Sequence, residues 1–187
     1  MSIVEDDLLR IFVAAKRRVD FPRFALDAVT TTLHAAKVWL AKKIDDGAEC
    51  PCCGQLAKVY KRKLNGSMVF VLTLIEKDRT GDWIHVPSYI NAKVKDPAVA
   101  AAVRGDWAKM VHWGLIEERR GVRSDGSTRV GYYKITSAGR RFVQNRIRVP
   151  KHVWIYDGEA IERADTETVS IVEALGDKFD YAELMRS

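Results

Sequence analysis

Cys50-Pro51-Cys52-Cys53-Gly54 gathers every cysteine of the chain into one short stretch. Cys50 and Cys53, three apart and followed by glycine, have the form of a zinc knuckle. In such a turn two thiolates face a metal and the glycine lets backbone amides approach the sulfurs. A structural zinc takes four ligands, and the sequence holds no second pair of this kind. His34, His85, His112 or His152 can complete the set, or two chains can share one ion. The other reading is a tight turn with reduced thiols. Three cysteines this close cannot build a disulfide framework, which fits a reducing, intracellular setting. A thioredoxin-like redox pair is not expected, because no β-α-β pattern surrounds the motif.

A second group of side chains suits a polyanion. Arg119, Arg120, Arg123 and Arg129 surround a polar, glycine-bearing stretch in which Asp125 is the one acid between Arg120 and Arg129. The planar guanidinium makes two hydrogen bonds to a phosphate at once. Lys61-Arg62-Lys63 and Arg140-Arg141 can extend such a footprint, although basic runs are also common on solvated faces. Charge is unevenly spread over the 187 residues: the net value is +6, yet Tyr156 to the end carries nine acids against three bases. A basic body with an acidic end suits a nucleic-acid partner whose access the end modulates.

Catalysis is not expected. There is no Walker loop, no Gly-x-Ser-x-Gly elbow and no His-Glu-x-x-His. The paired acids Asp6/Asp7, Asp45/Asp46 and Glu117/Glu118 are adjacent in sequence, which points their side chains apart on a helix or strand. No run of eighteen apolar residues suggests a membrane span. The acidic start, Met1 to Asp7, has no basic n-region of a secretory signal.

The elements that would hold these groups follow from periodicity. Ser2-x-x-Glu5 reads as a capping box, and Val4, Leu8, Ile11, Ala15 and Val19 recur at helical spacing until Phe21-Pro22. A second helix is expected from Arg23, with Leu26, Val29, Leu33, Ala36, Leu40 and Ile44 as its stripe, to Asp45-Asp46-Gly47. Leu56 to Tyr60 alternates like a strand that runs on into Lys61-Arg62-Lys63. Met68 to Ile75 is nearly all apolar, and periodicity leaves strand and helix open there. Trp83 to Val86 reads as a short strand and Pro87 to Asn91 as a brief helix or turn. Asp96-Pro97 is a helix start, with the acid as cap and proline in the first turn. One helix is expected from Asp96 to Trp113, with Val99, Val103, Trp107 and Met110 inward. Lys95, Arg104 and Lys109 would then face outward, among Ala98, Ala100, Ala101, Ala102 and Ala108. So many alanines suit a second helix packed on that face as well as they suit a groove of DNA. Leu115 to Arg119 and Val130 to Ile135 pair as a hairpin, and Thr136-Ser137 caps a helix through Arg146.

Trp113-Gly114-Leu115-Ile116-Glu117-Glu118, followed by Gly131-Tyr132-Tyr133-Lys134-Ile135-Thr136-x-x-Gly139-x-x-Phe142, resembles the wing signature of bacterial winged helix-turn-helix regulators such as the MarR and PadR families. The resemblance covers residues 64–149. The wider order of Cys-Pro-x-Cys-Gly, Tyr60-Lys61-Arg62-Lys63 and Trp-Gly-Leu-Ile-Glu is also similar to small proteins of phages and prophages. The elements read above, together with the winged-helix resemblance, imply an α+β chain: an N-terminal helical arm (1–49), a cysteine knuckle with a basic strand (50–63), a winged-helix domain (64–149) and an acidic C-terminal segment (150–187). The implied partner is double-stranded DNA, contacted by Lys95, Arg104 and Lys109 on the third helix and by Arg119, Arg120, Arg123 and Arg129 on the wing. Arg104 is the candidate for a guanine edge. A homodimer in the cytoplasm of a bacterial host cell, regulating transcription, is the expected setting, since one recognition helix covers only a half-site. Zinc on Cys50 and Cys53 is the one cofactor suggested. The competing expectation is a phage-encoded winged-helix interaction protein that binds and inhibits a host protein or defence complex. It would present Asp157–Glu183 as a nucleic-acid mimic, with Trp154, Tyr156, Phe179 and Tyr181 as contact surface or as core.

Overall fold

Thr32 opens the first described helix, α1 (Leu33–Lys43), by accepting the Ala35 amide on its hydroxyl at 3.2 Å. A computed structural model of the chain describes residues 32–78, 80–121, 129–161 and 167–186. The capping box at Ser2 and Glu5, the first expected helix and the start of the second lie outside these residues. Along α1 only Ala36 of the expected stripe is buried, while Leu33 and Val38 are exposed. After Ile44 a short hairpin forms from β1 (Ala48–Glu49) and β2 (Leu56–Ala57), in the register Ala48↔Ala57 and Glu49↔Leu56. The chain divides into two units, 1–59 and 60–187. The expected strand from Leu56 to Lys63 is therefore two strands. β2 pairs with β1, whereas β3 (Tyr60–Lys63) pairs with β8 (His152–Tyr156).

In the second unit the ambiguous apolar run is helix α2 (Gly66–Lys77), capped by Asn65, whose Oδ1 accepts the Met68 amide at 3.0 Å. Met68, Val69, Val71, Leu72, Thr73 and Ile75 are all buried, a spread wider than one helical face. A helix apolar nearly all round is stable only when neighbours cover it on several sides. Here α3 (Val86–Lys93), α4 (Pro97–Val103), α5 (Ser137–Val143) and α6 (Ile171–Leu175) all pack on it. Thr73, the one polar group among them, donates to the Phe70 carbonyl at 2.7 Å and so carries no unmet hydrogen bond into the core.

A three-stranded antiparallel sheet has the order β4-β6-β5, from β4 (Ile84–His85), β5 (Ile116–Arg120) and β6 (Arg129–Ile135). Its register is Ile84↔Tyr133, Ile116↔Ile135 and Glu118↔Tyr133, with an irregularity between Glu118 and Arg120. Alternation turns Tyr133 and Ile135 into the core and leaves Tyr132 exposed. Tyr133 packs edge-on against Trp107 at 4.7 Å and donates to Glu118 Oε1 at 2.8 Å, which ties the sheet to the segment before it. Thr136 closes the hairpin: its hydroxyl donates to the Gly114 carbonyl at 2.6 Å and accepts the Gly139 amide at 2.9 Å as the cap of α5. That helix stops at Val143 rather than running through Arg146, because Asn145 takes a left-handed conformation (φ 57°) that asparagine tolerates.

The single helix expected over Asp96 to Trp113 is two elements. Asp96 caps α4 through the Ala98 amide at 2.8 Å, with Pro97 in the first turn as expected. The helix ends at Val103, the chain bends over Arg104–Asp106, and Trp107–Trp113 is a 3-10 helix. Gly105-Asp106 joins two weak helix formers at the break. In a 3-10 turn residues three apart share a face, which sets Trp107 and Met110 together in the core.

The C-terminal segment is built into the same unit. β8 lies between β3 and β9 (Glu159–Ile161), and β7 (Val149–Pro150) pairs with β10 (Thr168–Val169). Val149, Val169, Ile171 and Leu175 are buried, Phe179 stacks on Phe70 at 4.7 Å, and Tyr181, at the start of α7 (Tyr181–Arg186), donates to the Val143 carbonyl at 2.9 Å. Apolar residues of the C-terminal segment thus join the core, with Phe179 and Tyr181 as packing residues, while the acids Asp157, Glu159, Glu167 and Glu173 stay exposed.

Several of its acids are spent on local order. Ser170 and Glu173 form a capping box on α6: the Ser170 amide donates to Glu173 Oε2 at 2.7 Å, and Arg148 pairs with the same carboxylate at 2.8 Å. Those bonds to Ser170, and then to Arg148, hold the Glu173 carboxyl below the usual range. A carboxylate with a depressed folded pKa stabilises above its unfolded pKa, and the contribution disappears as pH falls through the folded value. Glu173→Gln should accordingly melt below the wild type at pH 7, and the two melting curves should merge on acidification below about pH 4. A constant gap from pH 7 to pH 3 would contradict this role.

Candidate nucleic-acid interface

Residues 84–135 carry nine bases against five acids. Three of those acids are engaged within the fold: Asp96 caps α4, Asp106 pairs with Lys109, and Glu118 accepts from Tyr133. These contacts leave the carboxylates charged, so the excess of bases over acids in this stretch stays at four. The surface has two parts, the corner between α3 and α4 and the outer face of the β4-β6-β5 sheet.

At the corner, Lys95 is exposed in the turn Val94–Asp96 rather than on a helix. Arg104 is exposed at the C-cap of α4, and its Nη2 donates to Asn91 Oδ1 of α3 at 3.2 Å. That bond fixes the guanidinium against the neighbouring helix and leaves further N–H donors for a ligand. Ala98, Ala101 and Ala102 are exposed as expected, whereas Ala100 is buried and Ala108 is half-buried against the core. Lys109 is half-buried on the 3-10 helix, and its ammonium is paired with Asp106.

On the sheet, Arg119 is exposed and its guanidinium lies 6.0 Å from the centre of the Tyr132 ring, itself 39% exposed. His85 flanks the same ring at 5.2 Å, and Lys134 lies 5.7 Å from the centre of the Trp83 ring. Arg120 and Arg129 are partners in the backbone register of β5 and β6. Arg123 lies outside the described residues.

Asn91, Tyr132 and Trp83 were missed in the sequence. Alternation along β6 could have found Tyr132, since Tyr133 and Ile135 must face inward. Nothing local announces Asn91, whose partner lies thirteen residues away. The remaining basic runs are partly spoken for. Lys61 lies over Trp154 at 5.2 Å, Arg62 over Tyr60 at 5.1 Å, and Arg140 is 3.9 Å from Glu76.

Cys50 is half-buried, and Cys52 and Cys53 are exposed; all three are free thiols. The backbone amides of Cys52 and Cys53 donate to the Cys50 sulfur and hold its thiol below the ordinary range. Among the described residues no three or more His, Cys, Asp or Glu side chains form a group able to hold a metal ion. No helix among those residues is long and apolar enough to cross a membrane. Comparison with known protein families, with curated proteins and with solved structures finds no match to this chain.

Proposed function

We propose that the chain binds double-stranded DNA through a winged helix-turn-helix over residues 64–149, and that it acts as a regulatory or accessory DNA-binding factor of a phage or bacterium, not as an enzyme. The observation that carries this reading is the strand order β4-β6-β5, with α3 and α4 between β4 and β5. A strand laid down before the two helices pairs with the second strand of the hairpin formed after them. The arginine-bearing hairpin is thereby tied to the helix pair. The turn between α3 and α4 is three residues long, the length found between the two helices of a helix-turn-helix.

The exposed face supports the same reading. Small side chains at Ala98 and Ala101 allow the α4 backbone to approach a groove, and Arg104 supplies bidentate donors at the end of that helix. Lys95, Arg119, Arg120, Arg123 and Arg129 supply phosphate contacts, which set orientation and most of the affinity but read no sequence. Lys109, held by Asp106, is not counted among them.

The test is a salt-titrated duplex-binding assay on random and phage-derived sequences. With four to five phosphates neutralised, log affinity should fall linearly with log salt at a slope of about −4. A preferred sequence should emerge as salt rises. No complex with any duplex at low salt would overturn the reading and leave the host-protein interaction module in its place.

A further inference from the structure

The sheet β3-β8-β9 is built on different terms from the rest of the second unit. None of its residues belongs to the hydrophobic core, and its strands pack chiefly on one another. β3 and β8 pair with Lys61↔Trp154 and Lys63↔His152, and β8 and β9 with Trp154↔Ile161 and Tyr156↔Glu159. Register partners share a face, and side chains alternate along each strand. One face therefore gathers Lys61, Lys63, Trp154 and Tyr156, all within the second unit. Glu159 is the one acid these strands place on that face, and it stands on β9, the edge away from the lysines.

The two rings are half-buried and the two lysines exposed, and the Lys61 ammonium lies 5.2 Å from the centre of the Trp154 ring. Trp154 and Tyr156 are two residues apart on one strand, a separation of about 7 Å along it. The face is thus cationic along one edge and aromatic down its middle. Its complement is a ligand that is anionic along one edge and flat along the other. A protein partner fits less well, since lysine is depleted at the centre of protein–protein contacts. A duplex hides the faces of its bases in its own stack, whereas a single strand offers them to aromatic side chains. An exposed cation–π contact is weaker than base stacking, so a base can replace the Lys61 ammonium on the ring and leave it to a phosphate.

We propose that this face binds an unpaired oligonucleotide, with phosphates along Lys61 and Lys63 and two successive bases stacked on Trp154 and Tyr156. Glu159 repels phosphate from the β9 edge and so keeps the backbone on the β3 side. Every base has a flat face, so the site accepts most sequences. It shares no residue with the surface assigned to duplex DNA.

The experiment titrates the full chain with fluorescein-labelled oligothymidine and oligouridine while anisotropy is read at several salt concentrations. Both should bind, since neither phosphates nor base faces depend on the sugar. Trp154→Ala should weaken binding by about 5- to 150-fold, and Trp154→Phe should bind close to the wild type. An abasic oligonucleotide of equal length, which keeps the phosphates and lacks the bases, should bind more weakly by at least the Trp154→Ala factor. Replacing Lys61 and Lys63 together with alanine should flatten the slope of log affinity on log salt by about 1.4, and it alters exposed groups that the fold does not need. The variant with Arg119, Arg120 and Arg123 changed to alanine should bind these oligonucleotides as the wild type does. No binding of either oligonucleotide at low salt, equal affinity for the abasic strand, or an unchanged slope in the lysine variant would each overturn the site. Loss of binding in the arginine variant would also overturn it, by placing the strand on the duplex surface. Failure of the chain to bind duplex would leave all of these expected results standing.

Discussion

Gly139→Ala should lower the melting temperature by about 6–12 °C, the equivalent of roughly 3 kcal/mol in a chain of this size. A Cβ at this position would lie 2.1 Å from the Leu115 carbonyl oxygen and 2.7 Å from Ile135 Cγ1. The first of these is backbone and cannot rotate away. It is also pinned, because the Thr136 amide donates to the same oxygen at 3.1 Å and the Thr136 hydroxyl lies at 3.2 Å. The methyl group must therefore push α5 off the start of β5, at the point where the hairpin joins the core through Leu115, Ile135 and Phe142. Gly105→Ala serves as the control. Nothing lies within 4 Å of a Cβ there, and the residue is not in the left-handed region. That change should leave stability unchanged or raise it by about 0.4–1 kcal/mol through the unfolded chain. Equal melting temperatures for Gly139→Ala and the wild type would show that α5 does not approach Leu115 this closely. The spacing Thr136-x-x-Gly139 thus has two physical reasons: a hydroxyl to cap the helix and no side chain where the helix meets the strand.

Replacing Arg119, Arg120 and Arg123 together with alanine should weaken duplex binding by about 500-fold at 0.1 M salt relative to an extrapolated 1 M reference, with the loss the same on every sequence. Three phosphate contacts contribute about 2.7 to the slope of log affinity on log salt, so the variant's slope should flatten by about that amount. Arg104→Ala should behave differently. A guanidinium on a guanine edge is worth about 1–3 kcal/mol of discrimination, so preferred and random duplexes should converge in affinity while the slope changes by less than about one. Asn91→Ala should reproduce part of the Arg104 effect, because the 3.2 Å bond to Asn91 holds the guanidinium in place. An unchanged slope in the triple variant would remove the hairpin from the interface. A uniform loss in Arg104→Ala would make that residue a phosphate contact.

Much of the local architecture was legible from residue type alone. The cap at Asp96 with Pro97 behind it, the cap at Thr136, the turn from Cys50 to Gly54 and the paired strands of the hairpin all stand where spacing predicts them. The resemblance to winged-helix regulators rested on this same stretch. Other expectations depended on what a segment would touch. Met68 to Ile75 could have been strand or helix, and the elements packed round it decided for helix. The run from Asp96 to Trp113 reads as one helix, and the chain breaks at Arg104–Asp106 into α4 and a 3-10 helix.

The sequence by itself determined the features closed by bonds between residues two to four apart: the caps at Asp96 and Thr136 and the turn from Cys50 to Gly54. In these the groups that satisfy each other are neighbours in the chain, and their geometry is set by covalent reach. Tertiary structure alone decided which strand pairs with which, drew Val149, Val169, Ile171 and Leu175 into the core, set Arg104 against Asn91 and divided Leu56–Lys63 between two partners. Those outcomes depend on burial and on hydrogen bonds between distant segments, where many pairings satisfy the same local pattern and only the assembled core selects one.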